Sequence, residues 1–484
     1  MRFGSTRQRA ALASALPVVL AACVYYPITK VYFFADDFID LASIRNDGFL
    51  RFVTRPFGGH NYLTRNLVFY GSAHLFGMHA EPYFWTVLLT HLLNVWLLFR
   101  VLRTVTSSLV LASFGATLWG TSPVLVGTLG WYSVYGQVLA ATVLLGVLDR
   151  VAVCARSGAA PSARTIATWY VLLLLGSACF GVGIGVAVAF PAVLFLLVPA
   201  AWRRRGARLA VLTLPVATVA FYLGCRRLHA LLEPLSFDEI IAGGITLERL
   251  LAAPRALPAL LAVSVNASLR SFFFSPTASN PVAFQATIAL FGVGVGILLW
   301  QGDAATRRTA LAMVALCLCV YAVVAVGRQI FGPPWQLAVQ PRYHYVGSLP
   351  IVILACLVLA EVGRLDPHGA VPRIPLLLAA LALGAYGWAR SDFRVDEHDV
   401  SRQYLAGVLR GISSEVAARP AGTTVLLDNG KPSAALLGPV LVGAQRLFAG
   451  RAAAFLLAHE GDELDGRRVR FVERDAAVTD WYLR

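Results

Sequence analysis

The chain has 484 residues, of which 58% are hydrophobic and only 14% charged, with a mean hydropathy of +0.68. A soluble fold needs nearer a quarter charged residues to cover its surface, so the surplus apolar area must face lipid. That excludes a soluble enzyme, a disordered chain and a secreted disulfide scaffold. The net charge is +15, and all but Lys30 and Lys431 of the 41 basic residues are arginine. Most arginines fall between hydrophobic runs, which points to membrane topology and anionic lipid and away from nucleic acid.

In chain order, eleven runs reach the roughly 20 apolar residues that a hydrocarbon core requires. They begin near residues 10, 82, 107, 134, 165, 182, 207, 282, 308, 346 and 373. Arg2, Arg7 and Arg9 precede the first, which lacks a clear small-residue cleavage site and is expected to stay as a helix. Arg100 with Arg103, Arg150 with Arg156 and Arg164, Arg203–Arg205 with Arg208, Arg307-Arg308, and Arg364 with Arg373 share the side of the N-terminus, which makes that side cytoplasmic. An odd number of spans then puts the C-terminus outside, together with the long segments 35–81, 227–281 and 390–484 and the short loop 328–345. The stretch 254–275 carries Pro254, Pro258, Asn266 and Arg270; it reads as a helix at the interface or packed on other helices, and the C-terminal orientation reverses if it spans. Gly181, Gly183 and Gly185 mark either a turn between two spans or a close helix contact.

The expected fold is therefore an all-α polytopic membrane domain of about eleven transmembrane helices over residues 1–389, followed by a small soluble α/β domain over 390–484. In that tail Leu405, Val408, Leu409, Ile412 and Val416 repeat at helical spacing, Thr423–Leu427 reads as a strand ended by Asp428-Asn429-Gly430, and Val469–Val472 reads as another. The seven cysteines form no CxxC pair and read as small apolar residues, with no disulfide or metal framework.

Three carboxylates, Asp36, Asp37 and Asp40, crowd the end of the first span. If the helix continues, Asp36 and Asp40 share a face, and each raises the pKa of its neighbours. Such a group can take a proton from an incoming hydroxyl, although acidic residues also serve simply to end a span. Arg51 and Arg55 follow, with His60; arginines beside carboxylates suit a phosphate, and histidine can shuttle a proton, while snorkelling side chains of an interfacial loop explain them equally well. Asp36, Asp37 and His60 can in principle hold a divalent cation, though nothing in their spacing demands it. Leu63–Met78, with Arg65 and Asn66, has the pattern of an interface helix, and His91 and Asn94 in the second span are expected to bond between helices. A dense cluster precedes the late span: Arg328, then Arg342, Tyr343 and His344, where guanidinium forks suit a lipid-linked phosphate, against the alternative of an aromatic belt with arginine on lipid headgroups. GxxxxGK[ST], HExxH and GxSxG contexts are absent.

These features resemble the polytopic GT-C-type glycosyltransferases, the group that includes protein O-mannosyltransferases and lipid A aminoarabinose transferases. The resemblance rests on Asp36-Asp37 directly after the first span, on the order Arg65, Phe76-Gly77, Pro82, His91-Leu92-Leu93-Asn94, Arg100 and Arg103, and on Arg342-Tyr343 before a late span. It covers residues 10–105 well and 320–365 loosely. It implies a bacterial inner-membrane enzyme that moves a sugar from a polyprenyl-phosphate donor to a cell-envelope glycan, lipid or protein on the outer face. Asp36 or Asp37 would be the base, Arg342, Arg328 and Tyr343 would hold the donor phosphate, and Asp40, Arg55, His60, Arg65 and His344 would line the substrate. Relatives often carry a charged pair where this chain has Phe180–Gly185, so a non-catalytic protein that binds or moves lipid-linked glycans is the alternative.

Overall fold

The computed structural model of the chain describes residues 6–34, 36–233, 247–270, 281–328, 334–365, 384, 424–428, 454–458, 463–464 and 467–468. Its membrane part is helical. Seven helices are long and apolar enough to cross a membrane: Ala10–Lys30, Ala80–Thr106, Tyr132–Ser157, Arg205–Leu232, Leu250–Arg270, Pro281–Gln301 and Ala304–Arg328. Leu109–Gly120 and Pro123–Leu129, bent by 43°, make an eighth if they act as one span, and Ala163–Ser177 and Gly181–Leu197 are shorter apolar helices. Of the eleven starting points read from hydropathy, eight fall on described helices, those near 107 and 346 fall two residues ahead of one, and the one near 373 lies outside the described residues. The proline-bearing segment is a helix, Leu247–Arg270, with half of its apolar window buried; it is also long and apolar enough to cross a membrane, the case in which the expected C-terminal orientation reverses.

Local chemistry sets the helix ends. Helix α1 (Thr6–Tyr25) leads to α2 (Asp36–Asn46), α3 (Phe49–Thr54) and α4 (Leu63–Phe76), and α5 runs from Ala80 to Thr106. Pro82 sits in the first turn of α5, where its missing N–H costs nothing. The helix stops where Ser107 turns left-handed (φ 55°), and Ser108 then caps α6 (Leu109–Gly120) by accepting the Leu111 N–H at 3.2 Å. Next come α7 (Val126–Leu129), α8 (Gly136–Ser157), α9 (Ala163–Ser177), α10 (Gly181–Leu197), α11 (Pro199–Trp202), α12 (Arg205–Leu232), α13 (Leu247–Arg270), α14 (Pro281–Gln301), α15 (Ala304–Arg328), α16 (Pro334–Ala338) and α17 (Ser348–Leu365). Between α3 and α4 a short hairpin pairs β1 (Pro56–Phe57) with β2 (His60–Asn61). Its turn, Gly58-Gly59, has positive φ at both residues, which a two-residue hairpin favours and which only glycine adopts freely.

The core is locked by buried polar groups that find partners between helices. His91 lies between the Tyr345 hydroxyl (2.8 Å) and the Gly120 carbonyl (3.0 Å). Asn94 donates to the Val138 carbonyl (3.0 Å) and to Tyr345 (3.3 Å), and Trp119 donates to Ser348 (2.9 Å). These are the interhelical bonds expected of His91 and Asn94. Gly185 lets α10 lie directly on α15, since a Cβ there would come within 2.6 Å of the Cys319 carbonyl. Contacts also join the arginine-bearing loops in pairs: Arg100 of α5 reaches Asp149 of α8 (2.9 Å), Arg204 donates to the Pro161 carbonyl (3.2 Å), and Arg364 lies 3.7 Å from Asp303. All seven cysteines are free, with Cys179, Cys225, Cys317 and Cys356 buried.

In the tail, β3 (Thr424–Asp428) pairs in parallel with β4 (Ala454–Ala458), an arrangement that requires a crossover connection, and β5 (Glu463–Leu464) pairs antiparallel with β6 (Arg467–Arg468). The strand expected at 423–427 is β3, one residue later; the helix expected around 405–416, the strand at 469–472 and the boundary at 389 lie outside the described residues.

Candidate active site

The three carboxylates of α2 meet different fates. Asp37 reaches back to accept the Phe34 N–H (2.9 Å), the carboxylate half of a capping box, while its own N–H bonds the Phe34 carbonyl (3.0 Å). Its other oxygen accepts from the backbone N–H (2.6 Å) and the hydroxyl (2.7 Å) of Ser133, in the turn ahead of α8. Asp40 accepts from Arg65 of α4 (2.8 Å) and lies 3.0 Å from the same Ser133 hydroxyl. Both partners of the Arg65–Asp40 bridge are buried, and Arg65 also stacks 4.1 Å over the Tyr62 ring. Among the described residues Asp36 alone of the three has no hydrogen-bond or ion-pair partner, and it keeps part of its surface exposed.

Their acidities follow. Burial, then the charges of Asp40 and Asp37, push Asp36 up to about 7 against the pull of Arg65 and Arg342. Burial raises Asp37 to about 6, with the bonds from Ser133 and Phe34 holding it down. The helix continues through Asp40, so Asp36 and Asp40 sit four residues apart on it, and Asp40 is the strongest charge that Asp36 feels.

Arg342 lies in a 3₁₀ turn, Pro341–Tyr343, just ahead of α17. Gln137 of α8 and Thr128 of α7 hold its carbonyl (2.5 and 3.4 Å). Its guanidinium lies 5.3 Å over the rings of both Trp131 and Tyr343 and, among the described residues, donates no hydrogen bond. Its charge acts on both Asp36 and His60, so residues separated by some 300 positions share one electrostatic neighbourhood. Arg328 donates to the His60 Nε2 and lies 5.8 Å over Tyr343. Burial first, then the charges of Arg328, Arg65 and Arg342, hold His60 well below its ordinary pKa, so it is neutral and receives a hydrogen bond from Arg328. Its ring lies 4.3 Å from Phe180 and against Gly181, where a Cβ would come within 2.5 Å. The uncharged stretch Phe180–Gly185 therefore borders His60, which in turn meets a cation supplied from α15. Tyr222 of α12 bonds the Gly59 carbonyl (2.7 Å) and His229 meets Thr54 (3.2 Å), which fixes the hairpin that carries His60.

The chain is similar in structure to ArnT from Cupriavidus metallidurans bound to undecaprenyl phosphate. The two share 13% identity over 93% of this chain and 86% of that one, with a TM-score of 0.49. No protein-family model and no curated protein sequence matches the chain.

Of the residues singled out in the sequence, the structure groups Asp36, Asp37, Asp40 and Arg65 by contact and field, and Arg342, Tyr343, Arg328 and His60 by contact and field beside them. Arg55 turns aside to Ser43 and the Phe57 ring. His344 is buried between Tyr321 (3.0 Å) and the Ala338 carbonyl (2.7 Å), and burial lowers it to about 4; it supports the turn that carries Arg342. Sequence reasoning missed Ser133, which contacts two of the carboxylates, and Gln137 and Trp131, which meet Arg342; their only signal was an aromatic-rich stretch, Trp131–Tyr135, ahead of a span. Among the described residues no three of His, Cys, Asp and Glu gather in a way that suits a metal ion.

Proposed function

We propose that the protein is a membrane glycosyltransferase of the bacterial envelope, which moves a sugar from a polyprenyl-phosphate donor to a glycan, lipid or protein acceptor on the extracytoplasmic face. One observation carries the reading: the unpartnered carboxylate of the first loop, Asp36, lies in the field of an arginine, Arg342, whose guanidinium donates no hydrogen bond among the described residues. Asp36 is the base. Its carboxylate takes the proton of the acceptor hydroxyl as that oxygen bonds the anomeric carbon. The bond from that carbon to the phosphate oxygen breaks, and polyprenyl phosphate leaves with the electron pair, its charge received by Arg342 and Arg328. A base near pH 7 is matched to this task. Asp37, fully bonded, anchors α2, and Asp40 with Arg65 holds α4 against it.

The test is twofold. Asp36→Asn lowers transfer by about 10²–10⁴-fold while binding of undecaprenyl phosphate is kept, and Arg342→Gln weakens that binding. Transfer is read as the surface glycan restored to cells that lack the gene. Full restoration by Asp36→Asn defeats the enzyme reading and favours a carrier of lipid-linked glycans.

A further inference from the structure

We infer that Trp131 is the residue against which the donor's sugar ring lies, an inference that rests on the reading of this site as one for a polyprenyl-phosphate sugar. The indole stands between the two poles of the proposed reaction. Its ring centre lies 5.4 Å from that of Phe34, two residues ahead of Asp36, with the planes at 79°, and the guanidinium of Arg342 lies 5.3 Å over it. A glycosyl phosphate has the same order: phosphate at one end, anomeric carbon next, and a ring beside the line from phosphate to base.

Its surface suits a sugar. Pyranose rings present an apolar C–H face that aromatic side chains take up, and an indole adds a donor for a hydroxyl. The Trp131 Nε1 is buried without an acceptor among the described residues. Trp131 is also the one residue of Trp131–Val138 that is not buried. The platform is held rigidly to both poles: two residues on, Ser133 bonds Asp37 through its N–H (2.6 Å) and its hydroxyl (2.7 Å), and Gln137 bonds the Arg342 carbonyl (2.5 Å).

The experiment measures binding to the full chain in nanodiscs, with undecaprenyl phosphate as one probe and a panel of undecaprenyl-phosphate pyranoses as the others. The unaltered protein binds at least one sugar-bearing lipid more tightly than the bare phosphate. Trp131→Leu removes that gain, a loss of about fivefold to tenfold beyond whatever change it makes to the binding of bare undecaprenyl phosphate. Trp131→Phe keeps the stacking face and most of the gain, which guards against a leucine variant that fails to fold. Arg342→Gln weakens both kinds of probe alike. Equal weakening of both by Trp131→Leu, or a gain that survives it, overturns the inference. If the unaltered protein binds neither probe, the donor-site reading falls with it.

Discussion

Removing either member of the Arg65–Asp40 bridge should destabilise the protein far more than removing both. The bridge spans 2.8 Å, and the side chains are only 1% and 7% exposed. Arg65→Met leaves the Asp40 carboxylate buried with only the Ser133 hydroxyl near it, and Asp40→Asn leaves a buried guanidinium without its anion. Each uncompensated charge costs about 3–5 kcal/mol. The double variant leaves no unpaired charge, so it should recover about 2–3 kcal/mol of the summed cost. It does not return fully to the original stability, because the stacking of Arg65 on Tyr62 at 4.1 Å is lost as well. The assay is denaturant unfolding in detergent followed by a thiol-reactive fluorophore, for which the buried free thiols of Cys179, Cys225, Cys317 and Cys356 are built-in reporters. Strictly additive losses, or an Arg65→Met variant within about 1 kcal/mol of the parent, would refute the claim that burial makes this pair interdependent.

Other consequences are checked separately. Asp36 and Asp37 have folded pKa values raised to about 7 and about 6, so the folded state binds their protons more tightly than the unfolded chain. Their share of stability is therefore present at pH 4 and lost as pH rises through 7; unfolding midpoints between pH 5 and 8 should fall, and Asp36→Asn should flatten that fall. Transfer should rise through a limb near pH 7, and Asp40→Asn should move the limb downward, because Asp40 is the charge that most raises Asp36. Tyr345→Phe strips one partner from both His91 and Asn94 in the core and should cost about 1–3 kcal/mol, read by the same unfolding assay. Cysteines placed at Asp47 and at Ser433 should both react with an impermeant thiol reagent from outside the cell; protection of either breaks the shared-compartment reading.

Hydropathy made the helical frame legible, because each span must carry its own apolar run, and ten starting points fall on described helices or within two residues of one. The carboxylates were legible too: Asp36, Asp37 and Asp40 are neighbours in sequence, and a continued helix keeps them so. What divides their roles was not. Ser133 lies about 100 residues away inside an apolar stretch, and a single serine there carries no pattern. Trp131 was hidden in the same way, as one more aromatic at a span's edge. Arg342 and His344 were read together, yet the turn aims one at Trp131 and buries the other against Tyr321. Residues two apart on a tight turn meet different neighbours, and only the packing of α8, α15 and α17 decides which one lies in the field of the carboxylates.

The most direct test is a structure of the protein with an undecaprenyl-phosphate sugar bound. The account predicts its phosphate on the Arg342 guanidinium and its anomeric carbon facing the Asp36 carboxylate. A phosphate seated elsewhere, for example in the groove of about 580 Å³ lined by Phe76, Pro82, Trp85 and Leu89, with Asp36 and Arg342 both untouched, would contradict it.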